Sequence, residues 1–354
     1  MPTAQNQKSV YRKPDPGATI DTTAMRKDEN GMQYYFAPLE GITGYVYRTT
    51  HHAFFPGVDR YYIPFAAPNY TKHFKNKEKQ DMDPANNAGL HAVPQILSNK
   101  ADETLWAIEE MADRGYEEIN LNLGCPMPTV AKKKKGSGLL KYTDELDAYL
   151  SGVFEGLSKR DPSRPDVKIS IKTRLGTDTT EEAEGLVRIY NRYPLSELIV
   201  HPRSQKDLYR GKADREAFLL VLRESTNPVV YNGDLQTPQD VKEISEICIQ
   251  EGRSIDSVMI GRGLLADPSL VRECRGGAKV TAQELGAFHD ALYKRFQETL
   301  PGDAVVLSHM KELWFYMGNL FPDGGKCLKE IRRATRRAEY EAAVRVLLST
   351  YEVH

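Results

Sequence analysis

The chain contains 354 residues, of which 40% are hydrophobic and 27% are charged, a composition that predicts a globular protein with one large core and a smaller appended domain. The formal net charge is -1, so a polyanionic partner would have to bind a local basic patch. The four cysteines lie far apart without a C-x-x-C motif, which disfavours a disulfide framework and a structural zinc site. No metal is expected.

Membrane-spanning and secreted proteins are also disfavoured. The sequence has no run of about 18 apolar residues, and its polar N-terminus lacks the apolar segment of a signal peptide. We therefore expect a cytoplasmic protein with no membrane partner. Residues 1–31 are rich in Thr, Asp, Lys, Asn and Pro without apolar periodicity, which predicts a flexible N-terminal arm.

From Tyr34 onward, short apolar runs alternate with longer amphipathic stretches. The eight candidate strands are YYFAPL, RYYIPF, AVPQIL, EINLNL, KISIKTR, ELIVH, PVVYNGD and SVMIGRG. Two of the helix-like stretches between them, DETLWAIEEMADRG and TPQDVKEISEICIQEG, close on Gly115 and Gly252. Eight alternations predict an α/β fold of the (β/α)₈ TIM-barrel type over residues 32–275, with a doubly wound sheet as the alternative. Amphipathic stretches in residues 276–354 predict a small C-terminal all-helical domain.

The alternation of side chains along each strand predicts which residues point into the barrel. In KISIKTR, Ile169 and Ile171 share the apolar face, so Lys172 and Arg174 are expected to point inward near the C-terminal rim. The other polar residues expected to point inward are Gln95, Asn120, Asn122, His201 and Asn232.

This convergence favours a bound polar ligand, because active sites of TIM barrels lie at the C-terminal face. Considered separately, Lys172 is typical of a solvated strand residue and His201 of a structural histidine. Their joint inward placement favours the ligand site.

Two glycine-containing segments follow the last two candidate strands. Alone, Asn232-Gly233-Asp234 is typical of a hairpin turn, and Gly261-Arg262-Gly263 of a loop that leads into a helix. At these two strand ends, however, glycines let backbone N–H groups approach a phosphate, and Arg262 supplies positive charge. A phosphorylated cofactor is therefore expected.

Cys125 directly follows the fourth candidate strand, between Gly124 and Pro126. An isolated cysteine is often a small buried residue, and this alternative stays open. A rim loop stiffened by Pro126 and Pro128 favours instead a reactive thiol held above a ligand. G-x-S-x-G, P-loop and H-E-x-x-H motifs are absent from the sequence, so acyl transfer, NTP hydrolysis and zinc hydrolysis have no support.

Six motifs, in chain order, resemble those of the tRNA-dihydrouridine synthase family. They are FAPLEGITG (36–44), NLNLGCPMPTV followed by GSGLL (120–140), IKTRLG (171–176), VHPRSQKDLYRG (200–211), NGD (232–234) and VMIGRGLL (258–265). The resemblance implies an FMN-containing barrel followed by a helical RNA-binding domain. It also implies reduction of a uridine in RNA, foremost tRNA, to 5,6-dihydrouridine with NADPH as the electron donor.

The resemblance further implies roles for individual residues. Hydride from flavin N5 would reach C6 of the uracil, and Cys125 would donate the proton to C5. The implied cofactor-binding residues are Ala37, Pro38, Leu39, Gln95, Lys172, His201, Asn232, Gly233, Asp234, Gly261 and Arg262. The implied contacts of the uridine and its surroundings are Asn122, Arg174, Arg203 and Tyr209.

Two basic patches match the RNA-binding surfaces that the resemblance implies. One is the run Lys132, Lys133, Lys134 and Lys135, on the same rim loop as Cys125. The other lies in KCLKEIRRATRR, where helical spacing predicts that Lys329, Arg333, Arg336 and Arg337 share one face. Alone, each patch is equally typical of a solvated surface.

Two other functions stay open from the sequence. A dihydroorotate-dehydrogenase-like FMN enzyme would act on a small pyrimidine, but such a substrate needs no basic C-terminal helix. A non-catalytic RNA-binding protein on the same scaffold would not need Cys125, Lys172 and His201. The sequence does not indicate the modified uridine or the oligomeric state.

Overall fold

The computed structural model describes residues 31–354, so the predicted N-terminal arm lies, except for Gly31, outside the described residues. The described part contains one sheet of nine parallel strands in the order β3-β2-β1-β9-β8-β7-β6-β5-β4. The strands are β1 (Gln33–Phe36), β2 (Arg60–Tyr62), β3 (Ala92–Val93), β4 (Gln95–Ile96), β5 (Glu118–Leu123), β6 (Lys168–Arg174), β7 (Leu198–His201), β8 (Val229–Tyr231) and β9 (Ser257–Ile260).

Strands β3 and β4 are two halves of the third predicted strand, which Pro94 divides. Proline has no N–H to donate to a ladder, but the Pro94 carbonyl accepts a hydrogen bond from the Asn120 N–H at 2.9 Å. Strand β3 pairs with β2, and β4 pairs with β5. Residues 92–96 therefore close the ring at one strand position, which confirms the eight-stranded TIM barrel and excludes the doubly wound sheet.

Helices follow the strands as the sequence pattern predicts. Helix α3 (Ala101–Ala112) is followed by Gly115, whose φ is +91°, and α8 (Pro238–Gln250) begins at a capping box formed by Thr237 and Asp240. The described helices of the barrel are α1 (Tyr45–Phe54), α2 (Asn76–Asp81), α3 (Ala101–Ala112), α4 (Pro128–Ala131), α5 (Thr143–Ser158), α6 (Ala183–Tyr190), α7 (Arg215–Glu224), α8 (Pro238–Gln250), α9 (Arg262–Ala266) and α10 (Leu270–Cys274). Short 3₁₀ turns occupy Pro84–Asn87, Gly136–Leu139, Thr180–Glu182 and Gly318–Leu320.

The two faces of the strands contribute to different cores, as the predicted side-chain alternation requires. Ile169 and Ile171 belong to the large core between the sheet and the helices. A smaller apolar core fills the middle of the barrel, and its members are Tyr35, Ala37, Tyr62, Val93, Ile199, Val230 and Met259. Other inward positions carry buried polar side chains, among them Asn120 and Ser170.

A charged network closes the N-terminal end of the barrel. Arg60 lies 3.1 Å from a carboxylate oxygen of Glu118 and 3.0 Å from one of Glu197. The Tyr35 hydroxyl donates to Glu197 at 2.7 Å, and that of Tyr62 donates to Glu118 at 3.3 Å. Burial favours a lower pKa for Arg60, but Glu197 and Glu118 outweigh it and raise the pKa. We call these five residues the lower cluster.

The remaining described helices form the C-terminal region and pack on the side of the barrel. They are α11 (Ala282–Thr299), α12 (Asp303–Met317), α13 (Gly325–Arg333) and α14 (Arg337–Thr350). Arg295 of α11 donates to the hydroxyls of Thr49 and Thr50 on α1, both at 2.7 Å. Within residues 31–354, no helix combines the length and the apolar character needed to cross a lipid bilayer.

The predicted basic helix over KCLKEIRRATRR is wrong in one respect, because the chain breaks there into two helices. Helix α13 ends at Arg333, and Arg336 is extended at the start of α14. The Glu339 carboxylate accepts hydrogen bonds from the backbone N–H groups of Thr335 and Arg336 at 3.1 and 3.3 Å. This capping box begins a new helix, so the four basic residues do not share one helical face.

Candidate active site

Two adjoining cavities open at the C-terminal ends of the strands, where the sequence predicts the site. The inner cavity lies between the loops that follow β1, β8 and β9, and the outer cavity lies between the loop that follows β5 and helix α12. Both cavities are lined by Pro38, Leu39, Lys172, His201, Tyr209 and Arg262. They therefore form one continuous cleft.

The inner cavity is bordered by the two glycine-containing loops, which pack closely together. The Asn232 side-chain amide donates to the Met259 carbonyl at 2.7 Å. A Cβ atom at Gly233 would lie 2.9 Å from the Tyr231 hydroxyl, and one at Gly263 would lie 2.1 Å from the Leu235 carbonyl oxygen. Because no side chain fits at either glycine without displacing its neighbours, the backbone itself borders the cavity.

Asp234 organises these loops from a left-handed conformation with φ +42°. Its carboxylate accepts hydrogen bonds from Arg203 at 2.6 and 2.9 Å, from Arg262 at 3.0 Å and from the Ala213 N–H at 2.9 Å. Burial favours a higher pKa for Asp234, but these hydrogen bonds and the two guanidinium charges outweigh it and lower the pKa. Asp234 is therefore an ionised residue that joins loops from three strands.

His201 is held as a neutral imidazole by Arg203. The Arg203 guanidinium lies 3.0 Å from His201 Nε2, and because a guanidinium can only donate, Nε2 is the acceptor and Nδ1 carries the proton. Burial and the charges of Arg174 and Lys172 lower the pKa of His201 well below its usual value. His201 therefore borders the cleft as a neutral imidazole at neutral pH.

Lys172 lies at the junction of the two cavities. Burial, together with repulsion from Arg174, lowers the pKa of Lys172 to about 7, whereas Cys125 acts in the opposite direction. A buried ammonium group is stabilised by a nearby anion. The position of Lys172 is therefore suited to a ligand that carries or develops negative charge.

Cys125 is half-buried on the wall of the outer cavity, and both sides of its peptide unit are held. The Asn122 side-chain oxygen accepts from the N–H groups of Gly124 and Cys125 at 3.1 and 2.9 Å. The Ser137 hydroxyl and N–H donate to the Cys125 carbonyl at 2.9 and 3.1 Å. Burial raises the pKa of the thiol, although the Met127 N–H and nearby cations oppose it. The thiol is thus protonated at neutral pH and able to donate.

Arg174 and Arg203, the two arginines predicted to contact the substrate, donate hydrogen bonds to neighbouring loops. Arg174 donates to the carbonyls of Gly124, Ser204 and Leu208 at 3.1, 2.7 and 2.7 Å, although it still lines the outer cavity. Arg203 is 2% exposed and lines neither cavity. Its placement does not support the predicted uridine contact, and Arg203 instead positions His201 and Asp234.

The profile of the dihydrouridine synthase family matches residues 35–342 of this chain. The chain belongs to this family. It is 27% identical to tRNA-dihydrouridine synthase B of Vibrio vulnificus, over 67% of this chain and 69% of that one. It is 28% identical to tRNA-dihydrouridine(16) synthase of Pseudomonas syringae pv. tomato, over 70% and 76% of the two chains. A probable tRNA-dihydrouridine synthase of Helicobacter pylori is 27% identical, over 81% and 84%.

The first basic patch of this dihydrouridine synthase is partly neutralised within the chain. Lys132 and Lys133 are exposed. Lys134 pairs with Glu145 at 2.5 Å and lies 4.0 Å from the ring centre of Tyr142, and Lys135 lies 3.8 Å from Glu103.

All four cations of the second patch are exposed, and two of them pair with carboxylates. Lys329 and Arg333 are exposed. Arg336 pairs with Glu339 at 2.7 Å, and Arg337 lies 3.5 Å from Asp303 and 3.8 Å from Glu341.

The outer cavity also contains apolar residues that the sequence analysis missed. They are Phe65, Met127, Phe315 and Tyr316. Phe315 is 68% exposed, whereas the adjacent Trp314 is 2% exposed. Consecutive residues of a helix point about 100° apart, so three successive aromatic residues cannot all face one core. That argument could have identified Phe315 as an exposed aromatic residue.

Proposed function

We propose that this protein reduces a uridine of tRNA to 5,6-dihydrouridine with FMN as its cofactor and NADPH as the electron donor. One observation carries the proposal for this family member. Cys125, whose pKa is raised by burial, and Lys172, whose pKa is lowered by burial to about 7, border the same cleft between the two glycine-containing loops and the helical region. A proton donor and a site for negative charge are the two protein groups that reduction of a carbon–carbon double bond by hydride requires.

The inner cavity fits a phosphorylated flavin. Close packing at Gly233 and Gly263 brings backbone rather than side chains to the cavity wall, and Arg262 supplies positive charge near a phosphate. Ala37, Pro38 and Leu39 offer an apolar wall. The residues that would hold the cofactor are those expected from the sequence, and all but Gln95, which lines the outer cavity, line the inner one: Ala37, Pro38, Leu39, Gln95, Lys172, His201, Asn232, Gly233, Asp234, Gly261 and Arg262.

The cofactor, when bound and reduced, supplies the hydride for C6 of the uracil. Cys125 then donates the thiol proton to C5, and its raised pKa keeps that proton in place until the substrate arrives. Lys172 balances negative charge at the junction of the two cavities. Asn122 holds the Cys125 loop, while Tyr209 and Arg174 border the space for the uracil.

The shape of the cleft favours RNA rather than a free pyrimidine as the substrate. Helix α12 reaches the mouth of the outer cavity through Phe315 and Tyr316, so a substrate would contact both the barrel and the helical region. A nucleotide must leave its stack to reach Cys125, and phosphate contacts offset that cost. Lys132, Lys133, Lys329 and Arg333 are exposed for such contacts, and we place the protein in the cytoplasm with its tRNA substrate.

The proposal is tested with the purified full-length protein. We expect bound FMN whose absorbance near 450 nm, the ordinary flavin band, is bleached by NADPH, and dihydrouridine formation in tRNA from a strain that lacks the gene. Mass spectrometry of nuclease digests identifies the modified position. A protein that neither retains nor takes up FMN, or that leaves this tRNA unchanged after full reduction, would contradict the proposal.

A further inference from the structure

A continuous series of side-chain hydrogen bonds runs through the barrel interior below the Cys125 loop. At its upper end, the Asn122 side-chain oxygen accepts from the backbone N–H groups of Gly124 and Cys125. The Asn122 side-chain nitrogen donates to Gln95 Oε1 at 2.7 Å. The loop that carries the proton donor is therefore attached to Gln95 through one side chain.

The series continues from Gln95 to the lower cluster. Gln95 Nε2 donates to Asn120 Oδ1 at 2.7 Å, and Asn120 Nδ2 donates to Ser170 Oγ at 2.9 Å. The Ser170 hydroxyl donates to Glu118 at 3.2 Å. Strand register explains these contacts, because Asn120 is paired with Gln95 of β4 on one side and with Ser170 of β6 on the other.

The direction of every hydrogen bond in this series is fixed from both ends. Two backbone N–H groups require an acceptor, so the Asn122 oxygen must face the Cys125 loop. At the other end, the Glu118 carboxylate, which pairs with Arg60, can only accept, so Ser170 must donate to it. Both requirements impose the same orientation on the intervening amides of Gln95 and Asn120.

Asn120 and Ser170 have no access to the cleft. Both are fully buried, and neither lines the inner or the outer cavity. The interior of a TIM barrel is ordinarily filled by branched apolar residues, and buried polar groups are tolerated only when their hydrogen bonds are satisfied. The presence of Asn120 and Ser170 at this depth is therefore explained by the side chains that they orient and not by contact with a ligand.

We propose that Asn120 and Ser170 are positioning residues, which fix the amides of Gln95 and Asn122 and thereby hold the Cys125 loop in one orientation for proton transfer. The effect of this positioning role on catalysis rests on the proposed function. Neither residue contacts substrate, cofactor or the reacting thiol.

Ser170→Ala tests this role with the smallest change of volume, because it removes the hydroxyl that orients Asn120. We expect kcat for dihydrouridine formation to fall roughly 10-fold, as misplacement of a reacting group predicts, while FMN content and KM for RNA stay near the parent values. Ser170→Thr restores a hydroxyl and should recover most of kcat. The matched control is Thr104→Val, which removes another fully buried hydroxyl that lies 3.0 Å from Tyr149 in the helix layer.

The deciding measurement is the rate at which iodoacetamide alkylates Cys125, followed by peptide mass spectrometry at equal FMN content. Cys274, which is half-buried outside the cleft, serves as the internal reference. We expect several-fold faster alkylation of Cys125 in Ser170→Ala, because a loosened loop exposes the thiol and removes the burial that raises its pKa. Alkylation at the rate of the parent and of Thr104→Val would overturn the proposal, whatever the value of kcat.

Asn120→Ala is the second variant, and its Cys125 should be alkylated at least as fast as that of Ser170→Ala. If one variant fails to fold, the other carries the test. These rates do not depend on turnover. A parent protein that forms no dihydrouridine would therefore contradict the proposed function, while the alkylation rates would still decide the positioning role.

Discussion

The two ends of the barrel each hold a half-buried cation, but the charges that surround the two cations differ. At the N-terminal end, Arg60 lies between the carboxylates of Glu118 and Glu197, which raise its pKa. At the C-terminal end, burial and Arg174 lower the pKa of Lys172 to about 7. The lower cluster supplies its own counter-charge. The upper end has an excess of positive charge that an anionic ligand can balance. The opposite pKa shifts of the two cations follow from the presence of carboxylates beside Arg60 and of Arg174 beside Lys172.

The largest effect is expected where the chemistry takes place. Cys125→Ala removes the proton donor but none of the residues that line the inner cavity. Dihydrouridine formation should fall by roughly 10² to 10⁴-fold, the usual contribution of a general acid, while bound FMN and its reduction by NADPH stay at parent levels. Stopped-flow reduction by NADPH, followed by reoxidation with RNA, separates the two half-reactions. Reoxidation by RNA at the parent rate would show that Cys125 is not the donor.

Arg60→Met tests the lower cluster. The substitution leaves Glu118 and Glu197 buried without their cation, and should lower the free energy of unfolding by about 3 kcal/mol, with little effect on FMN affinity below the melting temperature. Urea denaturation measures the change. Arg223→Met is the matched control, since it breaks an exposed pair with Glu251 and should cost less than about 1 kcal/mol. Equal losses in both variants would contradict a special role for the lower cluster.

Lys172→Met tests the upper end and should show the opposite pattern. Loss of a charged hydrogen-bond donor should weaken FMN binding by roughly 10- to 100-fold. The ligand-free protein should be as stable as the parent or more stable, because an ammonium whose pKa is lowered by burial opposes folding at neutral pH. Fluorescence titration and urea denaturation measure the two quantities. Unchanged affinity together with lower stability would make Lys172 a structural residue like Arg60.

The pH dependence of FMN affinity should follow the same group. In the ligand-free protein, Lys172 loses its proton as the pH rises through about 7, whereas a bound anion would raise its pKa. Binding therefore takes up a proton above pH 7, and the affinity should fall about 10-fold between pH 7 and 8.5. Lys172→Met should remove this dependence. A parallel decline in the variant would assign the pH effect to another group.

The smallest effect is expected at the basic surfaces. Lys329 and Arg333 are exposed, whereas Arg336 and Arg337 pair with carboxylates. We expect the double variant Lys329→Ala and Arg333→Ala to have a shallower slope of log RNA affinity against log salt concentration. The slope should decrease in magnitude by up to about 0.7 to 0.9 per lost phosphate contact. The pair Arg336→Ala and Arg337→Ala should change it less. Equal slopes in parent and first variant would show that this surface is only solvated.

Side-chain alternation predicted several of the strand residues that line the cleft. Lys172, Gln95 and His201 follow from a period of two, because that period is fixed by the geometry of a strand. Cys125 followed from its place directly after a strand. The same reasoning treated AVPQIL as one continuous strand, whereas Pro94 divides its pairing between two neighbours without altering the side to which Gln95 points.

Contacts that depend on the paths of loops could not be predicted in this way. Arg174 was expected to point inward and Arg203 to contact the uridine, but the loop 204–211 supplies carbonyl acceptors to both guanidinium groups. No sequence period encodes the path of this loop. The break between α13 and α14 depends on Glu339, which competes with helix continuation by capping the backbone at Arg336. Phe315 comes to the cleft from a helix nearly two hundred residues away from Cys125, as the numbering shows.

The contact of Arg295 with Thr49 and Thr50 has an evolutionary consequence. Helix α1, which carries both threonines, begins directly after residues 37–44, and this segment includes Pro38 and Leu39 of the cleft wall. A helical region taken from a relative would therefore need a residue that binds α1 as Arg295 does. Without it, both the packing of the new region and the position of the cleft wall would change. Exchange of C-terminal regions is thus constrained by the packing of α11 against α1 as well as by the residues that line the cleft.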